Sequence, residues 1–407
     1  MRSPWWRPRG VLRRFLADLV ADELTRARHG PLPLPLPWPE ALRFEADLDV
    51  DSLERLGLAS AVAEALHLHE SGIEDCLLAR GTLGEWVDVA AEGLERFSGR
   101  ITFRTSGSTG TPKSCQHAFD TLRQETDHLA SLFPGRLRIL SAVPSHHIYG
   151  FLFTVLLPQD LSLPAESVRA LRASTPAWLV RGAQPGDLVI GHPEFWAAAA
   201  RTVPNWPADV VGVTSTAPCP EAVAESLLGA GLSRLVDVYG SSETAGIAAR
   251  ARHDAPYELF PYWRFAEGDG HALIRELPGG GQSSRAAPDV LIPCGPGRFH
   301  VGPRQDEAVQ VGGINVFPAR VREVLRRHPA VQDAAVRLMA PHEGSRLKAF
   351  IVPRPELPSG TDLLLDLRHW IARELSAPER PKSICMGRQL PSGPGGKPGD
   401  WAAQGES

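Results

Sequence analysis

The 407-residue chain contains 43% hydrophobic and 22% charged residues and has a net charge of −4 at pH 7. This composition is typical of a soluble globular protein with room for two or three domains. The slightly acidic balance lacks the basic footprint of a nucleic-acid-binding protein, and no apolar run reaches membrane-spanning length, so we expect neither kind of partner.

Five cysteines, at positions 76, 115, 219, 294 and 385, are scattered along the chain. Their odd number favours reduced thiols over a disulfide framework, and no CxxC or His/Cys cluster suggests zinc. The first ten residues lack the apolar core of a signal peptide. We therefore expect a cytoplasmic protein.

Residues 1–98 are predicted to be mainly helical. Apolar residues recur on one helical face over residues 10–28, and a proline-rich break follows over residues 31–39. Seven arginines between Arg2 and Arg28 leave open a first helix lying on a membrane surface. Interspersed acidic residues favour a helix packed in a bundle instead. Three shorter helical patterns follow, at residues 52–66, 70–79 and 83–95.

The order of these helices resembles the four-helix bundle of an acyl carrier protein. Ser52 stands where such a carrier bears its phosphopantetheine arm. Asp51 and Glu54 also form the pattern of a capping box, which needs no cofactor, so a bundle without the arm is an equal alternative. Only residues 98–100 separate the last helix from the first core strand, a joint too short for a travelling carrier. We therefore favour a docked bundle and a separate thiol acceptor.

Residues 105–113 read Thr-Ser-Gly-Ser-Thr-Gly-Thr-Pro-Lys and follow a predicted strand at residues 101–103. Glycines let backbone N–H groups approach an anion, hydroxyls donate hydrogen bonds, and a lysine adds a compact charge. The spacing is not that of a Walker loop, because Thr-Pro separates the last glycine from the lysine. We expect phosphate contacts from Thr105, Ser106, Gly107, Ser108, Thr109, Gly110 and Lys113.

Lysine is rare in this chain. Of 43 basic residues only four are lysines, at positions 113, 348, 382 and 397. Two of them, Lys113 and Lys397, end glycine-rich runs. Because arginine supplies the ordinary surface charge, we interpret these two lysines as point charges with a function.

Residues 99–305 alternate strand-like and helix-like patterns, which predicts a layered α/β core. The predicted strands are at 139–143, 188–190, 210–213 and 235–238, and the predicted helices are at 165–173, 193–202 and 220–228. Residues 306–407 predict a small α+β lid, with helices at 318–327 and 362–375 and strands at 331–338 and 347–352.

Seven segments resemble, in order, the motifs of the adenylate-forming superfamily, which includes acyl- and aryl-CoA ligases, peptide-synthetase adenylation domains and luciferases. They are residues 105–113, 144–150, 215–218, 239–244, 289, 304–306 and 390–397. The resemblance implies an α/β core with a mobile C-terminal lid. It also implies a two-step reaction, in which a carboxylic acid attacks the α-phosphate of ATP and a thiol then takes the acyl group from the adenylate.

The implied cofactors are ATP and Mg²⁺, with CoA or a phosphopantetheine thiol as acceptor. The implied partners are a small carboxylic acid and either CoA or an acyl carrier protein. Lys397 matches the lid lysine that drives adenylation, alongside Lys113 and Glu243, and Asp306 matches the hinge. The family holds Mg²⁺ at the positions of Glu243 and Thr244. The remaining nucleotide contacts fall on Thr216, Ala217, Tyr239, Gly240, Ser241, Thr244, Asp289 and Arg304.

By the same resemblance, His147, Tyr149 and Gly150 line the acyl pocket. Aromatic and polar groups around a short pocket favour an aryl acid such as a hydroxybenzoate. A carrier-like front joined to a short core also resembles the ligases of bacterial aryl-polyene pigment clusters. Two alternatives stay open: a catalytically impaired acyl- or nucleotide-binding protein built on a truncated ligase, and another ATP-dependent enzyme such as a kinase.

Overall fold

The computed structural model describes residues 3–28, 30, 32, 36–105, 113–171, 176–266, 269–287, 289–304, 308–312, 314–340, 343–355, 362–391 and 399–402. They form two compact units, one extending to Pro303 and the other starting at Arg304. Among the described helices, none is long and apolar enough to cross a membrane.

Four helices open the first unit: α1 (Arg9–Arg28), α2 (Phe44–Leu48), α3 (Ser52–Leu66) and α4 (Leu83–Arg96). The helices predicted at 10–28, 52–66 and 83–95 are confirmed. Capping boxes begin α3 at Asp51 and α4 at Thr82, and each satisfies backbone N–H groups that a helix start leaves unpaired.

The helix predicted at 70–79 is wrong. Two short 3₁₀ turns, Leu68–Glu70 and Glu74–Leu77, take its place. Gly72 lies between them with φ of 68°, a left-handed conformation that a continuing α-helix does not contain.

The amino-terminal helices share a hydrophobic core with the α/β region. Trp5 packs edge-on against Phe15 of α1 at 5.6 Å and against Phe151 at 5.1 Å between ring centroids. All three rings are almost fully buried. The helices are therefore packed onto the core, and burial of these large rings stabilises the arrangement by removing apolar area from water.

Two antiparallel strands, β1 (Arg100–Thr105) and β2 (Lys113–Ala118), come next, and α5 (Phe119–Leu132) follows them. The register pairs Thr105 with Lys113, so the two ends of the predicted phosphate loop lie side by side. The intervening residues 106–112 lie outside the described part of the chain.

The α/β region continues through β3 (Arg138–Ser141), α6 (Ile148–Phe151), α7 (Leu157–Asp160), β4 (Val168–Ala170), α8 (Leu179–Gly182), β5 (Asp187–Gly191), α9 (Pro193–Thr202), β6 (Val211–Thr214), α10 (Glu221–Gly229) and β7 (Arg234–Ser241). The antiparallel strands that follow are β8 (Ala245–Arg250), β9 (Tyr257–Leu259), β10 (Trp263–Ala266), β11 (Asp269–Glu276), β12 (Gln282–Ala286), β13 (Asp289–Gly295) and β14 (Arg298–Arg304).

The main sheet has nine strands in the order β13-β14-β9-β8-β7-β6-β5-β3-β4. Strands β4, β3, β5, β6 and β7 are parallel to their neighbours in this order, whereas β7, β8 and β9 pair antiparallel. Every residue of β5 and β6 is buried, as their apolar runs predict for parallel strands covered on both faces. A second sheet has the order β10-β11-β12.

The helix predicted at 165–173 is also wrong. A 3₁₀ turn at Ala165–Ser167 leads into the edge strand β4, which pairs with β3. Pairing with a neighbouring strand overrides the local helical pattern, since a propensity is only a weak preference.

The second unit contains β15 (Val309–Val311), β16 (Ile314–Val316), α11 (Pro318–Arg326), β17 (Val331–Leu338), β18 (Leu347–Pro353), α12 (Leu363–Glu374) and β19 (Ser383–Met386). Strands β17, β18 and β19 form one sheet in that order, and its apolar face packs with α11 and α12. The helices and strands predicted here are confirmed. The whole is an α/β fold followed by a small α+β unit, as predicted.

Candidate active site

The parallel strands place several predicted site segments at one edge of the main sheet. Residues 144–150 follow β3, residues 215–218 follow β6, and Tyr239, Gly240 and Ser241 end β7. Because the carboxyl ends of parallel strands meet at the same edge, these segments lie together along one rim of the sheet. Ligands of open α/β sheets bind at this edge.

Lys113 contacts Glu243 at this rim. Its Nζ donates a hydrogen bond to Glu243 Oε1 across 2.8 Å, and both side chains are roughly half exposed. Partial burial raises the pKa of the Glu243 carboxyl, but hydrogen bonds from Lys113 and Ser241 and the Lys113 charge outweigh it and hold that pKa below its usual range. Glu243 is therefore ionised at neutral pH.

The turn that carries Glu243 is held by its own side chains. Thr244 Oγ1 accepts from the Ser241 backbone N–H at 3.0 Å and donates to the Ala245 carbonyl at 2.9 Å. A Cβ on Gly240 would lie 2.1 Å from that carbonyl, so only glycine fits there. Thr244 is 2% exposed. Its buried hydroxyl therefore connects the two ends of the turn, at Ser241 and Ala245.

Two residues that sequence reasoning missed support the same turn. His117 of β2 donates from Nε2 to the Ser242 carbonyl at 2.7 Å, and burial lowers the pKa of its imidazole. Glu125 of α5 accepts from the Gly246 backbone N–H at 2.9 Å. Burial raises the pKa of the Glu125 carboxyl to about 8. No local motif marks either residue, because each acts on a strand end more than 100 residues away.

Asp289, the predicted ribose ligand, lies beside the end of β7. The Tyr239 hydroxyl donates to Asp289 Oδ2 at 2.8 Å, and both residues are buried. Thr216 and Ala217 lie after β6, where Thr216 has φ of 81°. The neighbouring Ser215 hydroxyl donates to the Val238 carbonyl at 2.7 Å, which ties this segment to β7.

The predicted acyl-pocket residues begin α6. The Tyr149 hydroxyl lies 3.1 Å from the carbonyl oxygens of Gly191 and Val213, at the ends of β5 and β6. A Cβ on Gly150 would lie 1.7 Å from the Pro144 carbonyl oxygen, so glycine is required for this turn to pack. The ring of His147, half-buried, lies 4.2 Å from that of His146 between centroids. The Tyr149 hydroxyl is thus directed to the ends of these two strands.

The amino-terminal helix holds this segment in place. Asp18 of α1 is buried, and its Oδ2 accepts hydrogen bonds from both the backbone N–H, at 2.8 Å, and the hydroxyl of Ser145. Arg14 of α1 donates to the Thr154 carbonyl at 2.7 Å. The buried Asp18 carboxylate thus fixes Ser145, in the segment 144–150, from the amino-terminal helix.

The predicted residues of the second unit are described in part. Arg304 ends β14, whereas Asp306 and Lys397 lie outside the described residues. Lys348, one of the four lysines, is 1% exposed and holds the segment after Lys397. Its Nζ lies 3.1 Å from Asp400 Oδ1 and donates to the Trp401 carbonyl at 2.5 Å.

Comparison with known proteins identifies the family. The AMP-binding enzyme family matches residues 101–261, and its AMP-binding enzyme C-terminal domain matches residues 321–397. The chain is 38% identical over 400 residues to a 4-coumarate–CoA ligase of Rhodobacter capsulatus, covering 96% of this chain and 100% of the relative. It is 36% identical over 389 residues to a 4-coumarate–CoA ligase of Halorhodospira halophila, covering 94% and 97%.

Solved structures agree at the level of the fold. The amide bond synthetase McbA of Marinactinospora thermotolerans has a TM-score of 0.60 at 19% identity, covering 96% of this chain and 93% of that one. The o-succinylbenzoate CoA synthetase of Bacillus subtilis has a TM-score of 0.60 at 15% identity, covering 96% and 92%. With the family matches and the near-full-length relatives, the conclusion is that this chain belongs to the AMP-binding enzyme family and is an AMP-forming acid–thiol ligase.

Proposed function

We propose that this enzyme joins an aromatic carboxylic acid of the 4-coumarate type to CoA through an acyl-adenylate formed from ATP. The observation that carries the proposal is the alignment, along nearly the whole chain, with proteins named 4-coumarate–CoA ligase at 36–39% identity. The ion pair of Lys113 and Glu243 at the sheet edge supports it, because phosphate chemistry needs fixed charges of this kind.

The first step in this proposal is binding of ATP at the carboxyl ends of the strands. Tyr239 orients the Asp289 carboxylate, which accepts hydrogen bonds from the ribose hydroxyls. Residues 105–113 contact the phosphates, and Arg304 contacts the nucleotide from the end of β14. Lys113 leaves Glu243 for a phosphate oxygen, an exchange that costs little because the pair is half exposed.

The residues present fit Mg²⁺ through Glu243. The ion prefers oxygen ligands and is held by one or two carboxylates together with substrate phosphates, and Glu243 is an ionised, accessible carboxylate. The Thr244 hydroxyl already contacts Ser241 and Ala245, so we propose that Thr244 fixes the turn and Glu243 supplies the ligand. When bound, Mg²⁺ neutralises charge on the phosphates.

The acid lies beside residues 147–150 in this proposal. Tyr149 is 9% exposed and its hydroxyl is held by strand carbonyls, so its ring offers an apolar, aromatic wall. Such a wall favours an aromatic acid through ring–ring packing. Lys397, by family resemblance, stabilises charge between the carboxylate and the α-phosphate, and the lid turns about Asp306 between the two steps.

The finer predictions from the sequence stay predictions. They are a hydroxybenzoate substrate, a carrier-protein acceptor, phosphopantetheine on Ser52 and a place in aryl-polyene synthesis. The impaired-ligase alternative rests on the missing front subdomain of a truncated ligase. A protein named 4-coumarate–CoA ligase aligns with this chain over 100% of its own length, which favours the active-ligase proposal.

The test is a panel of acids with the purified full chain. ATP–pyrophosphate exchange is measured with 4-coumarate, cinnamate, 4-hydroxybenzoate, o-succinylbenzoate, acetate and palmitate, and thioester formation is then measured with CoA and with a phosphopantetheinylated carrier protein. We expect the largest kcat/KM with 4-coumarate or cinnamate and thioester on CoA. Exchange only with acetate or palmitate, or thioester only on the carrier, would overturn the proposal.

A further inference from the structure

Three potential metal ligands from distant parts of the chain meet beside α1. Asp22 lies on α1, and His146 and His147 lie between β3 and α6. One ligand atom from each lies within 4.8 Å of the other two. A carboxylate oxygen and two imidazole nitrogens form a donor set typical of Zn²⁺ and related transition metals. No spacing along the chain predicted a zinc site, because the ligands come from two segments that only the fold brings together.

Within the described part of the chain, His146 lacks the hydrogen bonds that a buried imidazole normally makes. Its side chain is 5% exposed, and neither Nδ1 nor Nε2 has a hydrogen-bond partner among the residues that the structure describes. Buried polar atoms of native proteins are almost always hydrogen-bonded, so an exception needs an explanation such as a bound water or ion. A metal ion bound to one ring nitrogen supplies such a partner.

The spacing of the pair agrees with a shared ion. His146 Nε2 lies 3.5 Å from Asp22 Oδ2, which is longer than the usual N–H···O distance of about 2.9–3.0 Å. Two ligands at about 2.0–2.1 Å from one tetrahedral ion lie about 3.4 Å apart. The two atoms are therefore separated as two ligands of one ion are.

The surroundings explain how an ion would enter and what it must displace. Asp22 and His146 line a small pocket together with Glu23, Arg26 and Arg104. Arg26 forms an ion pair with Asp22, and a guanidinium nitrogen of Arg26 lies 3.4 Å from Glu23 Oε1. The Asp22 and Arg26 side chains are 33% and 35% exposed, so Arg26 has room to withdraw and the ion has access from solvent.

We propose that Asp22, His146 and His147 form a binding site for a divalent transition metal of the Zn²⁺ class, which ties α1 to the segment that carries His147. The site does not include Glu243, and it shares only His147 with the segment beside which the acid is proposed to lie. Arg26 is its internal competitor, a cation that pairs with Asp22 when no metal is bound.

The test uses the full chain after treatment with a chelator. Zn²⁺ binding is measured by calorimetry and by competition with a chromophoric chelator, and Co²⁺ is used as a spectroscopic probe of tetrahedral coordination. We expect one equivalent of Zn²⁺, a raised midpoint of thermal unfolding, and affinity at least tenfold lower in Asp22→Asn and His146→Gln. Arg26→Gln should bind Zn²⁺ more tightly than the wild type, because the competing cation has been removed.

The control addresses the other such group among the described residues, formed by His67, His69 and Glu70. His69→Gln should leave Zn²⁺ affinity unchanged, and loss of binding in this variant would assign the ion to that group and overturn the proposal. Absence of stoichiometric binding, equal affinity in the wild type and Asp22→Asn, or no gain in Arg26→Gln would also overturn it. If His146→Gln fails to fold, the Zn²⁺ affinity of Asp22→Asn decides the proposal, because the Asp22 side chain is partly exposed.

Discussion

Lys113 and Glu243, 130 residues apart in the chain, form an ion pair with 2.8 Å between Nζ and Oε1. Lys113 begins β2 beside the predicted phosphate loop, and Glu243 lies in the turn between β7 and β8. The pair contributes little to stability, because exposed ion pairs are screened by water. Its value lies in keeping a cation and an anion ready at one point of the proposed ATP site.

Glu243→Gln should lower ATP–pyrophosphate exchange about 100-fold and raise the Mg²⁺ concentration needed for half-maximal rate, because it removes a charge placed for the reaction. Lys113→Met should lower the rate of ATP–pyrophosphate exchange only about tenfold, equivalent to about 1.4 kcal/mol in the activation free energy. The matched control is Glu258→Gln, which breaks an exposed 2.8 Å pair with Arg298. Exchange in Glu243→Gln equal to that of the control would contradict the assignment.

Tyr239→Phe should raise the KM for ATP several-fold with a smaller change in kcat. The variant removes the hydrogen bond that orients Asp289, worth about 1 kcal/mol. Tyr257→Phe is a close control, since the Tyr257 hydroxyl donates to a different carboxylate, Asp237, at 2.6 Å. Steady-state kinetics with varied ATP should separate the two. An equal rise in KM in both variants would point to general loosening of the sheet.

Glu125 makes stability depend on pH. Its carboxyl has a pKa of about 8 in the fold because it is buried, against about 4.3 when unfolded. Between these values the folded chain holds a proton that the unfolded chain releases. The proton on Glu125 therefore adds its full contribution to the free energy of unfolding below about pH 4. This contribution is lost as the pH rises toward 8, by at most about 1.4 kcal/mol per pH unit.

Glu125→Gln, which resembles the protonated carboxyl, should remove this slope while keeping an acceptor for the Gly246 N–H. Urea unfolding of the wild type and the variant at pH 5.5, 6.5 and 7.5 measures how the free energy of unfolding depends on pH. The free energy of unfolding of the wild type should fall relative to the variant as pH rises. Parallel pH profiles would show that Glu125 is ionised throughout.

Lys397→Ala should depress adenylate formation about 10²- to 10³-fold, equivalent to about 3–4 kcal/mol, by removing a preorganised charge. Thioester formation from a supplied acyl-adenylate should be largely spared, because the lid presents another face in that step. Lys382→Ala removes an exposed lysine of the same unit and serves as control. Equal losses in both half-reactions would refute the role assigned to Lys397.

Ser52 should stay unmodified. It is exposed at the first turn of α3, where Asp51 and Glu54 complete a capping box without any cofactor. We expect no change in intact mass after co-expression with a broad-specificity phosphopantetheinyl transferase. A mass gain of one phosphopantetheine arm that disappears in Ser52→Ala would show that the enzyme loads itself.

Local signals explain what was predictable. Helices α3 and α4 begin at their capping boxes because the capping side chains lie within three residues of the N–H groups they satisfy. Strands β5 and β6 are continuous apolar runs because both faces of a parallel sheet are buried. The order of seven short motifs was enough to predict the family and the two-step chemistry.

The sequence alone therefore determined most of the predicted helices and strands, the motifs and the class of reaction, since each is marked by residues close together in the chain. Only the tertiary structure decided which side chains meet. His117 and Glu125 reach a turn more than 100 residues away, Asp18 reaches Ser145, and Asp22 reaches His146. The edge strand β4 likewise follows its partner β3 and not its own helical pattern. Such contacts are set by how strands and helices pack, and no spacing along the chain carries that information.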